Sequence, residues 1–164
     1  MANSSPRVLT RSALFLAIAL ALQALRLPQP VTGPLINAIL FLAAATVGPV
    51  AGAAVGALTP WGALLAGILN PALAPAVPAI VLGNVTLVLI FSSLRGRSPL
   101  LGVLAAAVAK YVVLSTLVRF VIPLSPALTL ALQVPQLFTA LAGGAVALAL
   151  LGGHRALRRR FGPG

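Results

Sequence analysis

The chain alternates between long apolar runs and short polar or proline-rich breaks. The first run, Val8–Leu27, has basic residues at both ends, and its twenty residues would span about 30 Å as a helix, which is one bilayer core. Proline and glycine predict a loop over Leu27–Pro34. The same pattern predicts membrane-spanning helices at Leu35–Leu58, Pro78–Leu94, Leu100–Ile122 and Pro126–Leu151.

The second span, Leu35–Leu58, contains Gly48, Gly52 and Gly56 at four-residue spacing. They form a small-residue stripe on which another helix can pack closely. Thr59-Pro60 is expected to break this span.

The short segment Trp61–Leu69 is ambiguous. It is either the core of a third span that borrows flanking residues or a re-entrant segment. With a cytoplasmic N-terminus and six crossings, eight arginines lie inside and only Arg26 and Arg119 lie outside, as the positive-inside rule favours. A re-entrant segment would place Arg95 and Arg97 outside. The sequence therefore predicts an all-α protein with six transmembrane helices and both termini in the cytoplasm.

We expect a single transmembrane domain over 1–164, with a polar leader at 1–7 and a basic cytoplasmic tail at 154–164. A cleaved signal peptide is the competing interpretation of the first run, because Ala19-Leu20-Ala21 resembles a small-residue cleavage site. The spans that follow directly, and the polar end from Gln23 to Arg26, favour a retained helix.

Composition supports a membrane protein. Hydrophobic residues make up 60% of the chain and charged residues 7%, with eleven Lys+Arg and no Asp or Glu. A soluble domain carries about 25% charged residues, so lipid is the solvent that suits this exterior. A nucleic-acid-binding protein would spread Lys and Arg over a wet face, whereas here they flank apolar runs, so no nucleic-acid partner is expected.

The chain lacks the residues that most catalytic and metal sites require. It has no cysteine, no carboxylate and one histidine, His154, beside Arg155 in the basic tail. No phosphate-binding GxxxxGK[ST] loop is present. We therefore expect neither an enzyme nor a bound cofactor or metal, which leaves binding, transport, channel or scaffold roles.

Lys110 is the clearest functional candidate. It lies about 17 Å along the fifth span from Pro99, near the membrane midplane, and the chain has no carboxylate to pair with it. It is either a structural lysine that donates to carbonyls or has become neutral, or a cation that binds an anionic or strongly accepting ligand. The second interpretation is favoured, because an unpaired buried ammonium is otherwise costly.

The other intramembrane polar side chains fall in the outer half of the six-crossing topology. Gln133 and Gln136 share a face of the sixth span, and Arg119 ends the fifth. Taken singly, Asn37 at the start of the second span and Asn70 at the end of the third read as helix caps or interface residues. Together the set predicts a pocket that opens outside beneath the loops Leu27–Pro34 and Asn70–Pro78, not a through-pore. Its candidate substrate-binding residues are Lys110, Asn84, Gln133, Gln136, Arg26, Gln23, Asn37, Asn70 and Arg119.

The segments Gln23–Gln29, Thr32–Asn37 and Gly83-Asn84 resemble substrate-binding S components of the energy-coupling factor (ECF) vitamin transporters. The resemblance implies a multi-pass protein of a bacterial plasma membrane that binds a vitamin or related micronutrient in its outer half. It also implies docking onto a transmembrane coupling subunit driven by two ATPase subunits, through small residues four apart on the first helix. Ala13, Ala17 and Ala21 have that spacing.

The lack of acidic residues departs from most members of this family and argues against a cationic substrate such as thiamin. Biotin-, pantothenate- or nicotinate-like compounds, or a pyrimidine, fit better. In this hypothesis Lys110 supplies the charge, Asn84, Gln133 and Gln136 orient the ligand, and Arg26 with the first loop forms a lid. A stand-alone secondary transporter or small channel, and a non-transporting scaffold in which Lys110 is merely structural, remain the alternatives.

Overall fold

A computed structural model describes residues 6–161, with side chains described as far as Gly153. Within that range the chain forms helices joined by short turns and no strand, so the predicted all-α class is confirmed. The helices are α1 (Pro6–Ala24), α2 (Gln29–Thr46), α3 (Pro49–Leu65), a 3₁₀ helix (Pro71–Ala76), α4 (Val77–Leu94), α5 (Pro99–Phe120), α6 (Pro126–Ala131) and α7 (Val134–Phe161).

Five segments are long and apolar enough to cross a bilayer: α1, α2, the 3₁₀ helix with α4, α5, and the unit from α6 into α7. Helix α3 is equally apolar but has 17 residues, which is about 25 Å of helix. These lengths and this composition are those of a multi-pass membrane protein.

The helices pack as an up-and-down bundle in which α4 lies mainly against α5, α2 against α7, and α3 against both α1 and α4. At one end, the Arg26 guanidinium at the end of α1 donates to the Gly67 carbonyl after α3 at 3.4 Å. At the other end, the Arg95 guanidinium after α4 donates to the Ala45 carbonyl near the end of α2 at 2.7 Å. We call the first the loop end and the second the arginine end.

The larger of the two apolar clusters in the described core extends toward the arginine end. Phe41 of α2 and Phe91 of α4 meet edge to face with ring centroids 4.9 Å apart, and both are buried. Leu40, Leu87 and Val103 belong to the same cluster. Large apolar side chains also cover the outside of the bundle, as expected where lipid is the solvent.

The predicted second span, Leu35–Leu58, is wrong because it joins parts of two helices. Helix α2 starts at Gln29, inside the predicted loop, and ends at Thr46. Gly48 then takes a φ of 136°, which favours glycine, and Pro49 opens α3. Gly48 therefore terminates a helix instead of extending the small-residue stripe, while Gly52 packs α3 closely against Ala44 of α2.

The predicted break at Thr59-Pro60 is also wrong, and Trp61–Leu69 does not form the core of a helix. Both Thr59 and Pro60 lie inside α3, which ends at Leu65. A proline inside a membrane helix is tolerated where neighbouring groups bond the carbonyl that its missing N–H leaves free.

The predicted sixth span, Pro126–Leu151, is divided by a turn at 132–133 into α6 and α7. Pro135 consequently lies in the first turn of α7, where its missing N–H costs no hydrogen bond. The backbone of α7 continues through most of the basic tail, whose side chains lie outside the described part. The first, fourth and fifth spans match their predictions within three residues, α1 being shifted toward the N-terminus.

Candidate functional site

A cavity of about 270 Å³ opens at the loop end of the bundle. Its apolar wall includes Ile36, Leu69, Leu73, Ile80, Leu128 and Leu132. Its polar side chains come from every long helix of the bundle: Gln23, Gln29, Thr32, Asn37, Thr59, Asn84, Lys110 and Gln136.

Lys110 of α5 lies at the floor of this cavity between two asparagines. Its Nζ donates to Asn37 Oδ1 of α2 at 2.7 Å and to Asn84 Oδ1 of α4 at 2.9 Å. The three residues are only 2–4% exposed. Because the chain contains no Asp or Glu, these neutral oxygens solvate the ammonium without neutralising it.

Asn84 is held in place by a carbonyl that a proline has freed. In an α-helix the N–H of residue 60 would bond the carbonyl of residue 56, but Pro60 has no N–H. Asn84 Nδ2 donates to that Gly56 carbonyl at 2.9 Å instead. Pro60 thereby orients the Asn84 amide so that its oxygen faces Lys110.

Asn37 is oriented by two acceptors. Its Nδ2 donates to the Gly33 carbonyl at 2.9 Å and to Thr139 Oγ1 of α7 at 3.4 Å. Asn37 was expected at the start of the second helix, but it lies in the middle of α2, because that helix begins at Gln29. It therefore does not cap the helix, and its side chain is buried in the bundle.

Glycines allow α7 to approach α2 at this site. A Cβ added at Gly143 would lie 2.5 Å from the Pro34 carbonyl oxygen and 2.7 Å from Asn37 Cβ. A Cβ at Gly33 would lie 2.6 Å from Thr139 Cγ2. The Asn37–Thr139 contact between the two helices depends on these close approaches.

Two glutamines face the cavity nearer its opening. Gln136 of α7 is 8% exposed, and its side-chain amide has no hydrogen-bond partner among the described residues. Gln23 Nε2 donates to the Ala19 carbonyl at 3.3 Å, which leaves its oxygen available.

The structure brings together five of the nine predicted binding residues: Lys110, Asn84, Asn37, Gln136 and Gln23. The other four do not line the cavity. Gln133 is half-buried in the turn before α7. Asn70 is exposed, and its side chain caps the 3₁₀ helix by accepting from the Ala72 N–H at 3.0 Å.

Both predicted arginines are exposed. Arg26 has a φ of 50° and bonds the loop after α3. The Arg119 guanidinium lies 5.8 Å from the ring centroid of Phe120.

Sequence reasoning missed Gln29, Thr32, Thr59 and Thr139. Gln29 and Thr32 fall within the predicted loop Leu27–Pro34, although with Ile36 they recur at the three- and four-residue spacing of one helix face. Thr139 follows Gln136 by three residues and so shares its face, a signal that was present in the sequence.

Ala13, Ala17 and Ala21 form an exposed stripe on α1. Leu14 and Ile18 beside them are also exposed. This part of α1 therefore presents small and apolar side chains on the outside of the bundle.

A family model described as "ECF transporter, substrate-specific component" matches residues 7–152, which is most of the chain. No curated protein and no solved structure matches it significantly. The family match agrees with the resemblance seen in the sequence, and the chain belongs to the substrate-specific components of ECF transporters.

Proposed function

We propose that this protein captures a small anionic or acceptor-rich nutrient from outside a bacterial cell for ATP-driven uptake by partner subunits. The description of its family, a substrate-specific component of ECF transporters, supports a role in substrate binding. The observation that carries the proposal is the buried Lys110 ammonium at the floor of an open cavity, held only by neutral oxygens. A cation kept unpaired within a membrane protein marks a binding site.

The proposed orientation has six crossings, with α3 as the third. Antiparallel packing puts the loop end and the arginine end on opposite sides of the membrane. The positive-inside rule assigns the end with Arg95 and Arg97 to the cytoplasm, together with both termini. The cavity then opens to the outside, where a nutrient arrives.

Two buried aromatic rings between the cavity and the arginine end disfavour a pore. Phe41 follows Asn37 by one helical turn and Phe91 follows Asn84 by two, so their rings close the bundle below Lys110. A conducting path needs polar lining along its length. The larger cluster of buried apolar side chains in the described bundle, which includes both phenylalanines, lies on this side of the cavity.

The exposed stripe Ala13, Ala17 and Ala21 is the proposed contact with a transmembrane coupling subunit, which two ATPase subunits would drive. Small residues four apart let a second helix approach closely in lipid.

Mass spectrometry of protein extracted gently from membranes tests the proposal. We expect one small molecule to copurify near equimolar ratio with the protein and to be lost from Lys110→Met but retained by Arg119→Met, which alters a basic residue outside the cavity. Reconstituted liposomes should take up that molecule only when coupling and ATPase subunits are present. Uptake by this chain alone would establish a stand-alone transporter instead, and the absence of both a ligand and uptake would leave a scaffold.

A further inference from the structure

The geometry of the cavity points to a narrower substrate class, an inference that rests on the proposed function. We infer that the ligand is a monoanion with one carboxylate and a compact apolar body. It binds with the carboxylate at the floor against Lys110 and the apolar body toward the opening.

The single positive charge of the site favours a ligand with one negative charge. Among the described residues that line the cavity, Lys110 alone is charged. Asn37 and Asn84 contribute dipoles, and no Asp or Glu exists in the chain to compensate the ammonium. A monoanion neutralises the buried cation, whereas a dianion leaves a second charge unpaired and a cation is repelled.

Hydrogen-bonding capacity selects for a strong acceptor. A lysine ammonium has three N–H donors, and Lys110 uses two of them on Asn37 and Asn84. The third has no partner within the described part of the chain. The Gln136 amide, unpartnered in the same range and lining the cavity, offers further donors. A carboxylate has two oxygens with which to accept from both residues, and a charge-assisted bond is stronger than a neutral one.

The wall of the cavity selects for a compact apolar body. Leu69 and Leu73, in the connection from α3 to α4, and Leu128 and Leu132, in and after α6, surround the opening. The described lining contains no aromatic side chain on which a large planar ring system could stack. The volume of about 270 Å³ lies at the small end for ligand pockets. An apolar opening above a cationic floor orients an amphiphilic acid with its carboxylate inward.

Four matched ring compounds separate charge from shape: cyclohexanecarboxylate, cyclohexanecarboxamide, cyclohexylmethylammonium and 1,4-cyclohexanedicarboxylate. Equilibrium binding to dialysed protein in lipid nanodiscs, with empty nanodiscs as background, should be saturable for the monocarboxylate. We expect the protein to bind the monocarboxylate with about 10- to 100-fold higher affinity than the neutral amide. The dicarboxylate and the ammonium compound should bind more weakly than the monocarboxylate.

Lys110→Met should abolish the preference for the monocarboxylate over the amide, while Arg119→Met should keep it. The comparison of the four compounds on the unaltered protein decides the inference even where a variant does not fold. Equal affinity for amide and monocarboxylate, tightest binding of the dicarboxylate or the ammonium compound, or no saturable binding would overturn it. If a neutral nutrient copurifies and is taken up with the partner subunits, this inference fails and the proposed function stands.

Discussion

At the scale of single residues, the site depends on a hydrogen-bond network in which each asparagine amide donates through its nitrogen and accepts through its oxygen. Asn84 donates to the Gly56 carbonyl and accepts from Lys110. Asn37 donates toward Gly33 and also accepts from Lys110. Because a buried polar atom left without a partner costs free energy, this network both positions the cation and stabilises the bundle.

Asn84→Leu should lower the free energy of unfolding by about 2–4 kcal/mol, since it leaves the Lys110 ammonium one acceptor short and the Gly56 carbonyl without a donor. Thermal or denaturant unfolding in detergent measures the change. Asn70→Leu removes an exposed cap and should cost about 1 kcal/mol. Equal losses in the two variants would contradict the structural role of the network.

Adding Pro60→Ala to the Asn84→Leu variant should restore about 1 kcal/mol of the free energy of unfolding that Asn84→Leu loses. It restores a backbone N–H at position 60 that can bond the freed Gly56 carbonyl. The same unfolding measurements form a double-mutant cycle with Pro60→Ala alone. Additive effects would show that Pro60 and Asn84 do not share this carbonyl.

At the scale of elements, close helix contacts set the geometry of the cavity. Helix α7 contributes Gln136 to the cavity and Thr139 to the network, and it can reach α2 only because Gly143 has no side chain. In lipid, where apolar burial does not drive helices together, such small-residue contacts are a main source of association.

Gly143→Ala should destabilise the protein by about 1–3 kcal/mol, because its Cβ would overlap the Pro34 carbonyl and Asn37. Ligand affinity should fall as α7 moves away from α2. Gly152→Ala is the matched control, as nothing lies within 4 Å of a Cβ there, on the same helix. Unfolding and ligand binding measured on both variants test the packing, and unchanged behaviour of Gly143→Ala would refute it.

At the scale of the whole molecule, the two ends of the bundle differ in character. The loop end holds the cavity, and the arginine end has an apolar core beneath basic residues. Together with the distribution of arginines, this difference between the two ends suits a receptor whose cavity opens to one side of the membrane.

The proposed orientation predicts accessibility on each side of the membrane. Because the chain has no cysteine, single substitutions Ala72→Cys and Gly96→Cys report position directly, and both sites are exposed. In intact cells a membrane-impermeant thiol reagent should label Ala72→Cys, whereas Gly96→Cys should react only after permeabilisation. Labelling of Gly96→Cys in intact cells would mean that α3 does not cross or that the orientation is reversed.

Ala17→Leu should weaken assembly with the coupling subunit while leaving ligand binding unchanged, because Ala17 is exposed on α1 and does not line the cavity. Ala145→Leu makes the same change at an exposed position of α7 and should leave assembly intact. Copurification of the complex measures both. Normal assembly of Ala17→Leu would exclude the alanine stripe as the contact.

The sequence by itself determined the membrane environment, the all-α class, the family resemblance and Lys110 as a buried residue. These properties follow from the lengths of the apolar runs and from the absence of acidic residues in the chain. Both are features of the sequence that do not depend on how the helices pack. Only the tertiary structure decided that Asn37 and Asn84 meet Lys110, and that Gln133, Arg26 and Arg119 do not line the cavity. It also decided that helices end at Thr46 and Ala131. In lipid both the packed and the exposed faces of a helix are apolar, so the periodicity that reveals faces and boundaries in soluble proteins is largely absent.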